Sequence, residues 1–523
     1  MDFSKTFLGI ELGSTRIKGV LIDENHQVIA SGAHSWENDF QNGVWTYALS
    51  DAVAGVQACY AALKAEAEAK FSKPLEKVAA IGISGMMHGY LVFDKDGNQI
   101  APFRTWRNTI TGPAAAKLTE LFRFNIPQRW SIAHLYQSIL NKEDHVKDIS
   151  KLTTLAGYIH YLLTGENAMG IDEASGMFPY DETAVDFDAK RIAQFDNLIA
   201  PYGFRWNLRQ ILPKVLPAGT LAGHLTEAGA KLLDPTGTLE AGIPLCPPEG
   251  DAGTGMVATG AVHPRTGSIS AGTSGFSMQV LEHPLKNYYP EIDVVSTPAG
   301  KTVAMAHTNT CTSEIDAWVN LIADAAKVMG WPLDKNELFN KLFQAAMEGE
   351  PDCDGIISFN YFAGEPLTDT QTGRPMLVRL PDSKMTIPSF MRAQLNGAIA
   401  TLVIGMQMLR DEEGVESDML LGHGGFFKTP GVGQQLLANA LNVPITVMET
   451  AGEGGPWGMA LLAAYMVRKA EGETMEEYLQ NRVFADAKTV KVEPTAEGAA
   501  GFRAYLTRYK AALAAQKAAA AMN

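Results

Sequence analysis

A strand–turn–strand pattern built on Gly, Ser and Thr occurs twice in this chain and constrains its fold more than any other feature. The first copy is ELGSTRIKGVL (residues 11–21) and the second is SAGTSGFSMQVL (residues 270–281). They lie near the start and near the midpoint of a 523-residue chain, which is too long for a single hydrophobic core. The repeat predicts two related domains, at residues 1–265 and 266–523.

Strands and helices alternate in both halves of the chain. VAAIGISG (residues 78–85) is a nearly continuous apolar run and predicts a strand that is covered on both faces. Helical patterns are predicted at about residues 50–71, 388–411 and 456–468. This alternation predicts the α/β class, with a mixed sheet in each domain.

The charge balance excludes some classes of partner. The chain has 43 Lys and Arg against 58 Asp and Glu, a net charge of −15, so we expect no nucleic-acid partner and no membrane partner. The four cysteines form no CxxC pair and are predicted to be free thiols in a reducing cytoplasm. The first residues, MDFSKTFLGI, lack a signal-peptide pattern, and no apolar run reaches the length of a membrane span. We therefore expect a cytoplasmic protein.

The two turns lack large side chains and can expose consecutive backbone N–H groups to an anion. Lys18 follows the first turn and could help to neutralise such a ligand. Two such turns, one in each domain, would suit a polyphosphate; the alternative is that each is an ordinary hairpin. The turn residues are Gly13, Ser14 and Thr15 in the first copy and Gly272, Thr273 and Ser274 in the second.

Asp251 is the candidate catalytic residue. It lies in PEGDAGTGMVATGAV (residues 248–262), between a short apolar strand and a helix rich in small residues. A carboxylate at the end of a strand can accept the proton of a substrate hydroxyl during phosphoryl transfer; the alternative is that Asp251 only caps the helix. The segment GTGMVA (residues 253–258) also fits a dinucleotide pattern, which leaves an NAD-dependent oxidoreductase as another alternative.

Two further segments carry side chains suited to a sugar. GISGMMHG (residues 82–89) places Met87 and His88 in a loop after a strand, where the His can bond a hydroxyl. FRTWRNT (residues 103–109) adds stacking and hydrogen-bonding groups. The alternatives are a structural His, a Met that fills the core and scattered surface residues. The candidates in the second segment are Trp106, Arg107 and Asn108.

In their order along the chain, these motifs resemble those of the FGGY family of carbohydrate kinases, of the xylulokinase type, within the actin and hexokinase superfamily. GIELGSTRIKGVLID (residues 9–23) is similar to the family's first phosphate motif, and GISGMMHG is similar to its xylulokinase-type sugar motif. GDAGTGMVATGAVHPRTGSISAGTSG (residues 250–275) resembles the catalytic Asp motif followed by the second phosphate motif. LLGHGGFFKTPGVGQQLLANALNVPI (residues 420–445) resembles the adenosine motif.

The resemblance implies two actin-like (ribonuclease H-like) α/β domains, each with a mixed five-stranded sheet flanked by helices, and a cleft between them. The first domain would bind the sugar and carry Asp251 as the catalytic base, and the second would bind ATP. Gly424 and Gly425 would lie beside the adenosine, and Glu11 would hold Mg²⁺ through water. The other implied sugar-site residues are Met87, His88, Trp106, Arg107 and Asn108, and the implied phosphate contacts are Gly13, Ser14, Thr15, Lys18, Gly272, Thr273 and Ser274.

The implied activity is transfer of the γ-phosphate of MgATP to a terminal hydroxyl of a ketose or polyol, with a pentulose as the first choice. The partners would be that sugar and ATP, with a homodimer as one assembly known in the family. Three departures from the family's pattern keep a second interpretation open: Glu11 for Asp, Met86 for Gln, and Arg107 with Asn108 for an Asn–Asp pair. In that interpretation the chain is a nucleotide- and sugar-binding sensor of the same fold that has lost turnover.

Overall fold

The computed structural model describes residues 1–331, 334–448 and 454–522. The chain forms two compact units, and both are discontinuous in sequence. Unit one consists of Met1–His263, Asn287–Val303 and Gly452–Ala487, and unit two of Pro264–Lys286, Ala304–Ala451 and Lys488–Asn523. Two segments of the predicted second domain, 287–303 and 452–487, thus belong to unit one.

The strands, in chain order, are β1 Phe7–Leu12, β2 Arg16–Ile22, β3 Val28–Ser35, β4 Asp39–Gln41, β5 Val44–Thr46, β6 Ala80–Gly85, β7 Leu91–Phe93, β8 Lys151–Thr153, β9 Ala168–Gly170, β10 Tyr180–Asp181, β11 Asp186–Phe187, β12 Lys214–Leu216, β13 Gly223–His224, β14 Pro244–Leu245, β15 Glu249–Gly250, β16 Thr266–Ala271, β17 Gly275–Val280, β18 Ile292–Ser296, β19 Thr302–Thr308, β20 Ile357–Phe359, β21 Met376–Val378, β22 Met419–His423, β23 Ile445–Met448 and β24 Thr489–Val492.

The α-helices are α1 Leu49–Phe71, α2 Gly112–Phe122, α3 Ser131–Leu140, α4 Leu155–Thr164, α5 Ile171–Ser175, α6 Ala189–Ile199, α7 Leu208–Ile211, α8 Glu227–Leu233, α9 Asp251–Thr259, α10 Ser313–Val328, α11 Lys335–Ala346, α12 Ile387–Glu413, α13 Val432–Leu441, α14 Gly454–Arg468, α15 Met475–Tyr478 and α16 Ala496–Ala520. The three predicted helices are confirmed as α1, α12 and α14.

Local sequence explains the best-predicted elements. Every residue of β6 is buried, as expected for a strand covered on both faces. The helix α12 begins where the Thr386 side chain accepts a hydrogen bond from Ser389 N, with Pro388 in its first turn, and ends at Gly414 in the left-handed conformation. These are ordinary start and stop signals of a helix. They involve only residues close to the helix ends, so they can be recognised in the sequence.

Unit one contains a mixed seven-stranded sheet in the order β13-β14-β6-β1-β2-β3, with β15 also paired to β6. The strand β1 runs antiparallel to β2 and parallel to β6. The prediction of a mixed sheet is confirmed, and the predicted count of five strands is wrong. The reason is that β13, β14 and β15 have only two residues each, too few to show any periodicity in the sequence.

Unit two repeats this arrangement. Six strands of a mixed sheet lie in it, in the order β19-β17-β16-β22-β23-β24. The hairpin β16–β17 is antiparallel and β16 is parallel to β22, the same pairing as that of β1 with β2 and β6. Here too the predicted five strands are exceeded, because β24 adds an edge strand antiparallel to β23. The duplicated α/β architecture predicted from the two turns is confirmed.

The helix α14 packs directly on β1, β6 and α9 within unit one. A Cβ atom at Gly9, in the middle of β1, would lie 2.1 Å from the carbonyl oxygen of Pro456. Glycine therefore permits the two backbones to approach this closely. The same helix contacts the strand that carries Glu11 and the helix that begins at Asp251, so it packs against both carboxylate-bearing elements.

The expectation of free cysteines is confirmed. All four cysteines, Cys59, Cys246, Cys311 and Cys353, are free and buried. Over the described ranges of the chain, no helix combines the length and the apolarity needed to cross a bilayer.

Candidate active site

The first turn closes as a two-residue hairpin. Gly13 N donates a hydrogen bond to Arg16 O at 3.0 Å. The Gly13 N–H is therefore bonded within the turn, as in an ordinary hairpin. Ser14 and Thr15 form the tip. Lys18 lies across the β1–β2 pair from Glu11 and is exposed, which places one cation beside the turn.

Two aromatic residues hold the carbonyl groups of this turn on one side. Trp36 Nε1 donates to Gly13 O at 2.7 Å, and Tyr47 Oη donates to Ser14 O at 2.5 Å. Trp36 N donates to Thr15 O at 3.2 Å. Because the N–H and C=O groups of a trans peptide point in opposite directions, the amides that follow these carbonyls face away from the aromatic pair. The sequence analysis did not predict this support, because it depends on the fold bringing Trp36 and Tyr47 back beside the turn.

The segment with Trp106 lies against the first turn. Trp106 Nε1 donates to Ser14 Oγ at 3.1 Å, and 40% of the Trp106 surface is exposed. Arg107 donates to Asn38 Oδ1 at 3.0 Å and lies over the Trp45 ring, 4.6 Å from its centre. The structure therefore brings Trp106 to the first turn and places Arg107 on Asn38 and the Trp45 ring.

The Asn108 side chain is hydrogen-bonded to the backbone of the neighbouring strand β5. Its Oδ1 accepts from Trp45 N at 2.8 Å, and its Nδ2 donates to Trp45 O at 2.8 Å and to Thr105 O at 2.9 Å. The side chain is 1% exposed. A contribution of Asn108 to a sugar site would therefore be indirect, through the position of β5.

The loop after β6 connects His88 and Asp251 through Met87. Met87 N donates to Asp251 Oδ1 at 3.2 Å. His88 Nδ1 bonds Gly176 O at 2.9 Å, and because a carbonyl only accepts, Nδ1 carries the proton and Nε2 keeps a lone pair. Burial, with the nearby Arg129 charge, lowers the pKa of His88 to about 3. The imidazole is therefore neutral at pH 7 and can accept a hydrogen bond at Nε2.

Asp251 is the first residue of α9, and the cap position before it is Gly250, which makes no side-chain bond. The Asp251 carboxylate also interacts with the backbone N–H groups of Ala252 and of Asp251 itself, in the first turn of the helix. The capping alternative therefore stays open beside the catalytic one. Asp251 is exposed as a residue, but burial of its carboxylate raises the pKa to about 6. A carboxylate of this kind is ionised at neutral pH and more basic than an ordinary Asp.

Glu11 belongs to the same electrostatic environment. Burial first, and the negative charge of Asp251 second, raise the pKa of Glu11 to about 7, while Lys18 opposes the shift. The backbone at Gly455 lies against this carboxylate, since a Cβ there would be 1.4 Å from Glu11 Oε2. A glycine at position 455 thus leaves room for the Glu11 side chain.

The carboxylates fit a magnesium ion that keeps much of its water. Carboxylate oxygen is the ligand type that Mg²⁺ prefers, and the ion commonly retains several waters. Within 1–331, 334–448 and 454–522, no group of three or more His, Cys, Asp or Glu side chains is arranged to hold a metal. Glu11 offers one carboxylate of this type in the electrostatic environment of Asp251.

Three fully buried acids lie near Asp251, and the sequence analysis did not single them out. Asp172, Glu173 and Glu249 are each 0–1% exposed. Burial raises the pKa of Asp172 to about 8 and holds the pKa values of Glu173 and Glu249 well above the usual range. The signal available in the sequence was the pair of acids next to apolar residues in GIDEAS, but its spatial relation to Asp251 has no local signature.

These buried acids give the protein a defined pH dependence of stability. A carboxyl group whose pKa is raised on folding binds a proton more tightly when folded, so the free energy of unfolding falls as pH rises above the unfolded pKa. Because the pKa of Glu249 is raised on folding, we expect Glu249→Gln to flatten this slope by up to ~1.4 kcal/mol per pH unit above about pH 5. Urea unfolding at several pH values measures it, with Glu240→Gln, at an exposed position, as the control. Parallel slopes for the wild type and E249Q would contradict the assignment.

The second turn, in unit two, is supported in a similar way. Gly272 N donates to Ser274 O at 3.0 Å, and Cys311 N donates to Thr273 O at 2.8 Å. Thr312 donates to Gly272 O from both its N (2.9 Å) and its Oγ1 (2.8 Å). The carbonyl groups of both turns are thus held from one side, and the supporting residues at 311 and 312 were not predicted.

Gly424 lies next to the second turn. Its φ is +103°, and a Cβ there would be 2.5 Å from Ala271 O, the residue before the turn. Glycine is required on both counts. Gly425 is exposed and begins the short 3₁₀ segment Gly425–Phe427. The predicted adenosine and phosphate residues of unit two therefore meet at one end of β16.

The two duplicated α/β units, with a supported small-residue turn in each, define a protein of the actin-like fold. Residues 6–257 match the N-terminal domain, and residues 267–467 the C-terminal domain, of the FGGY family of carbohydrate kinases. The chain belongs to this family and is a carbohydrate kinase.

Individual relatives agree with the family. The chain is 24% identical over 500 residues to xylulose kinase of Haemophilus influenzae, covering 90% of this chain and 92% of that protein. The crystal structure of xylulose kinase from Rhodospirillum rubrum superposes with a TM-score of 0.79 at 19% identity, over 98% of each chain. Gluconate kinase from Lactobacillus acidophilus superposes with a TM-score of 0.78 at 17% identity, over 98% of this chain and 99% of that one.

Membership in this family also excludes one of the alternative interpretations. GTGMVA (residues 253–258) lies inside α9 of a carbohydrate kinase, so the oxidoreductase interpretation of this segment is wrong. The first glycine of the segment serves the packing of the helix, since a Cβ at Gly253 would meet the Asp172 carboxylate at 2.5 Å.

Proposed function

We propose that this protein transfers the γ-phosphate of ATP to a terminal hydroxyl of a ketose or polyol, with a pentulose as the first candidate. The observation that carries the proposal is the placement of Asp251 at the start of α9, bonded to Met87 N beside His88. The curated relative named above as a xylulose kinase supports the pentulose. The gluconate kinase among the structural neighbours supports a broad search for the acceptor.

In the proposed mechanism, Asp251 accepts the proton of the attacking hydroxyl. Its raised pKa makes it a better proton acceptor than an ordinary carboxylate while it stays ionised at pH 7. The bond from Met87 N to Oδ1 orients the carboxylate for this role. His88 Nε2 accepts a hydrogen bond from a second hydroxyl and thereby orients the sugar.

The phosphate groups would be bound by backbone amides. We infer that the amides of the first turn, together with Lys18, face the transferring phosphate, and that unit two binds ATP through its own turn and through Gly424 and Gly425. Glu11 would hold Mg²⁺ through water, and the ion supplies neutralisation of the phosphate charge. We infer that Trp106 and Arg107 support the first turn on the side that faces the sugar.

The sensor alternative rests on the departures from the family's pattern. Met86, the residue that replaces the family's Gln, is 1% exposed and belongs to the hydrophobic core of unit one. Together with the departures at Glu11 and Arg107, it is the reason to measure turnover directly.

A substrate screen tests the proposal. ADP release is followed in a coupled assay over pentuloses, hexuloses and polyols, with MgATP in excess and a no-sugar blank. We expect release with at least one acceptor, strongest among the pentuloses. Sugar and nucleotide binding, seen by calorimetry, without ADP release on any acceptor would favour the sensor instead.

A further inference from the structure

The backbone on both sides of Asp251 is fastened to one buried carboxyl group. Asp172, on α5, accepts hydrogen bonds at Oδ2 from Gly250 N and from Gly253 N, each at 3.0 Å. Gly250 directly precedes Asp251, and Gly253 follows it by two residues. Asp172 is 0% exposed, so no water competes for these bonds.

The contact leaves little room for α9 to shift. A Cβ at Gly253 would lie 2.4 Å from Asp172 Cγ, and a Cβ at Gly250 would lie 2.7 Å from Asp172 Oδ2. The bond from Met87 N to Asp251 Oδ1 orients the side chain, whereas Asp172 restrains the backbone that carries it. Both restraints act within unit one.

The neighbouring Glu249 does not restrain the start of α9 in this way. Its Oε2 accepts from Glu173 N at 3.3 Å and bonds no amide of α9. Ser175, on the same short helix as Asp172, donates to Asp172 O and accepts from Ser296 N. Asp172 is thus distinguished from buried polar groups beside it by two bonds to the start of α9.

We propose that Asp172 is a positioning residue that fixes the catalytic base Asp251 by accepting the N–H groups of Gly250 and Gly253. The proposal rests on the proposed kinase function for its kinetic consequence, and on the geometry alone for the restraint itself. A misplacement of the base by about 1 Å costs on the order of 10²-fold in rate, so loss of the restraint should reduce turnover.

The acceptor atom, rather than the charge, is what this role requires. Burial raises the pKa of Asp172 to about 8, so the group is mostly neutral at pH 7, with one oxygen free to accept. Asn has the same shape and keeps a carbonyl oxygen at the end of its side chain. Asp172→Asn should therefore rescue what Asp172→Ala loses.

The test compares D172A, D172N and the matched truncation S175A in steady-state kinetics with the sugar found in the screen. We expect D172A to lower kcat by ~10–100-fold with the KM for ATP within about 3-fold of wild type. We expect D172N and S175A to stay within about 3-fold in kcat. Amide hydrogen exchange of the peptide covering residues 249–259 should be faster in D172A only.

Two results would overturn the inference: D172A with wild-type kcat and exchange, or D172N as impaired as D172A. If D172A does not fold, D172N decides alone, because a loss above about 10-fold in kcat contradicts the proposal and a smaller change supports it. A wild-type protein that releases no ADP refutes only the kinase function. The exchange rates of D172A and D172N then still test the restraint.

Discussion

Replacement of Asp251 by Asn is expected to lower kcat by ~10²–10⁴-fold, the range for loss of a general base, with the fold intact. Asn keeps the oxygen that accepts the Met87 N–H bond but cannot take a proton at neutral pH. The KM for ATP should change little, since Asp251 belongs to the acceptor side of the proposed reaction. Steady-state ADP release with the preferred sugar measures both constants.

The control for this variant is Asp334→Asn. Asp334 also lies at the start of a helix, where its side chain accepts from Glu337 N at 2.9 Å, and Asn is an equally good residue for that position. We expect D334N to retain wild-type kcat. In the wild type, kcat should rise with pH through about 6 as Asp251 ionises. If D251N turns over at nearly the wild-type rate, Asp251 is not the base.

Replacement of Gly455 by Ala is expected to produce the second large effect. The added Cβ would fall 1.4 Å from Glu11 Oε2, so the carboxylate must move away from its place near Asp251. Because the obstacle is the end of a flexible side chain, the protein should still fold. If Glu11 holds Mg²⁺ through water, the Mg²⁺ concentration for half-maximal activity should rise by roughly 10-fold, equivalent to ~1.4 kcal/mol. A Mg²⁺ titration at saturating ATP and sugar measures it.

Gly255→Ala is the matched control. Gly255 lies in α9, and a Cβ there has no neighbour within 4 Å, so this substitution should leave the Mg²⁺ dependence unchanged. It should also raise stability by up to ~1 kcal/mol, because Ala favours a helix over Gly. An unchanged Mg²⁺ titration in a folded G455A would show that Glu11 does not hold the metal.

The chain's local pattern predicted much of the fold. Hairpin strands around Gly13 and Gly272, the buried strand β6 and the long helices α1 and α12 follow from turn chemistry and hydrophobic periodicity. Such signals act over a few residues, so they are visible in the sequence. The order of the motifs was enough to identify the family, which the matches over residues 6–257 and 267–467 confirm. The candidate site residues were also proposed from these motifs.

Only the tertiary structure decided how distant segments support that site. It placed α14 on β1 through the close approach at Gly9, committed the Asn108 amide to β5, and brought Asp172 to the start of α9. These contacts join residues between about 60 and 450 positions apart, and each depends on which backbones can approach closely enough. Burial set by that packing, rather than residue type, is also what raises the pKa values of Glu11, Asp172 and Asp251.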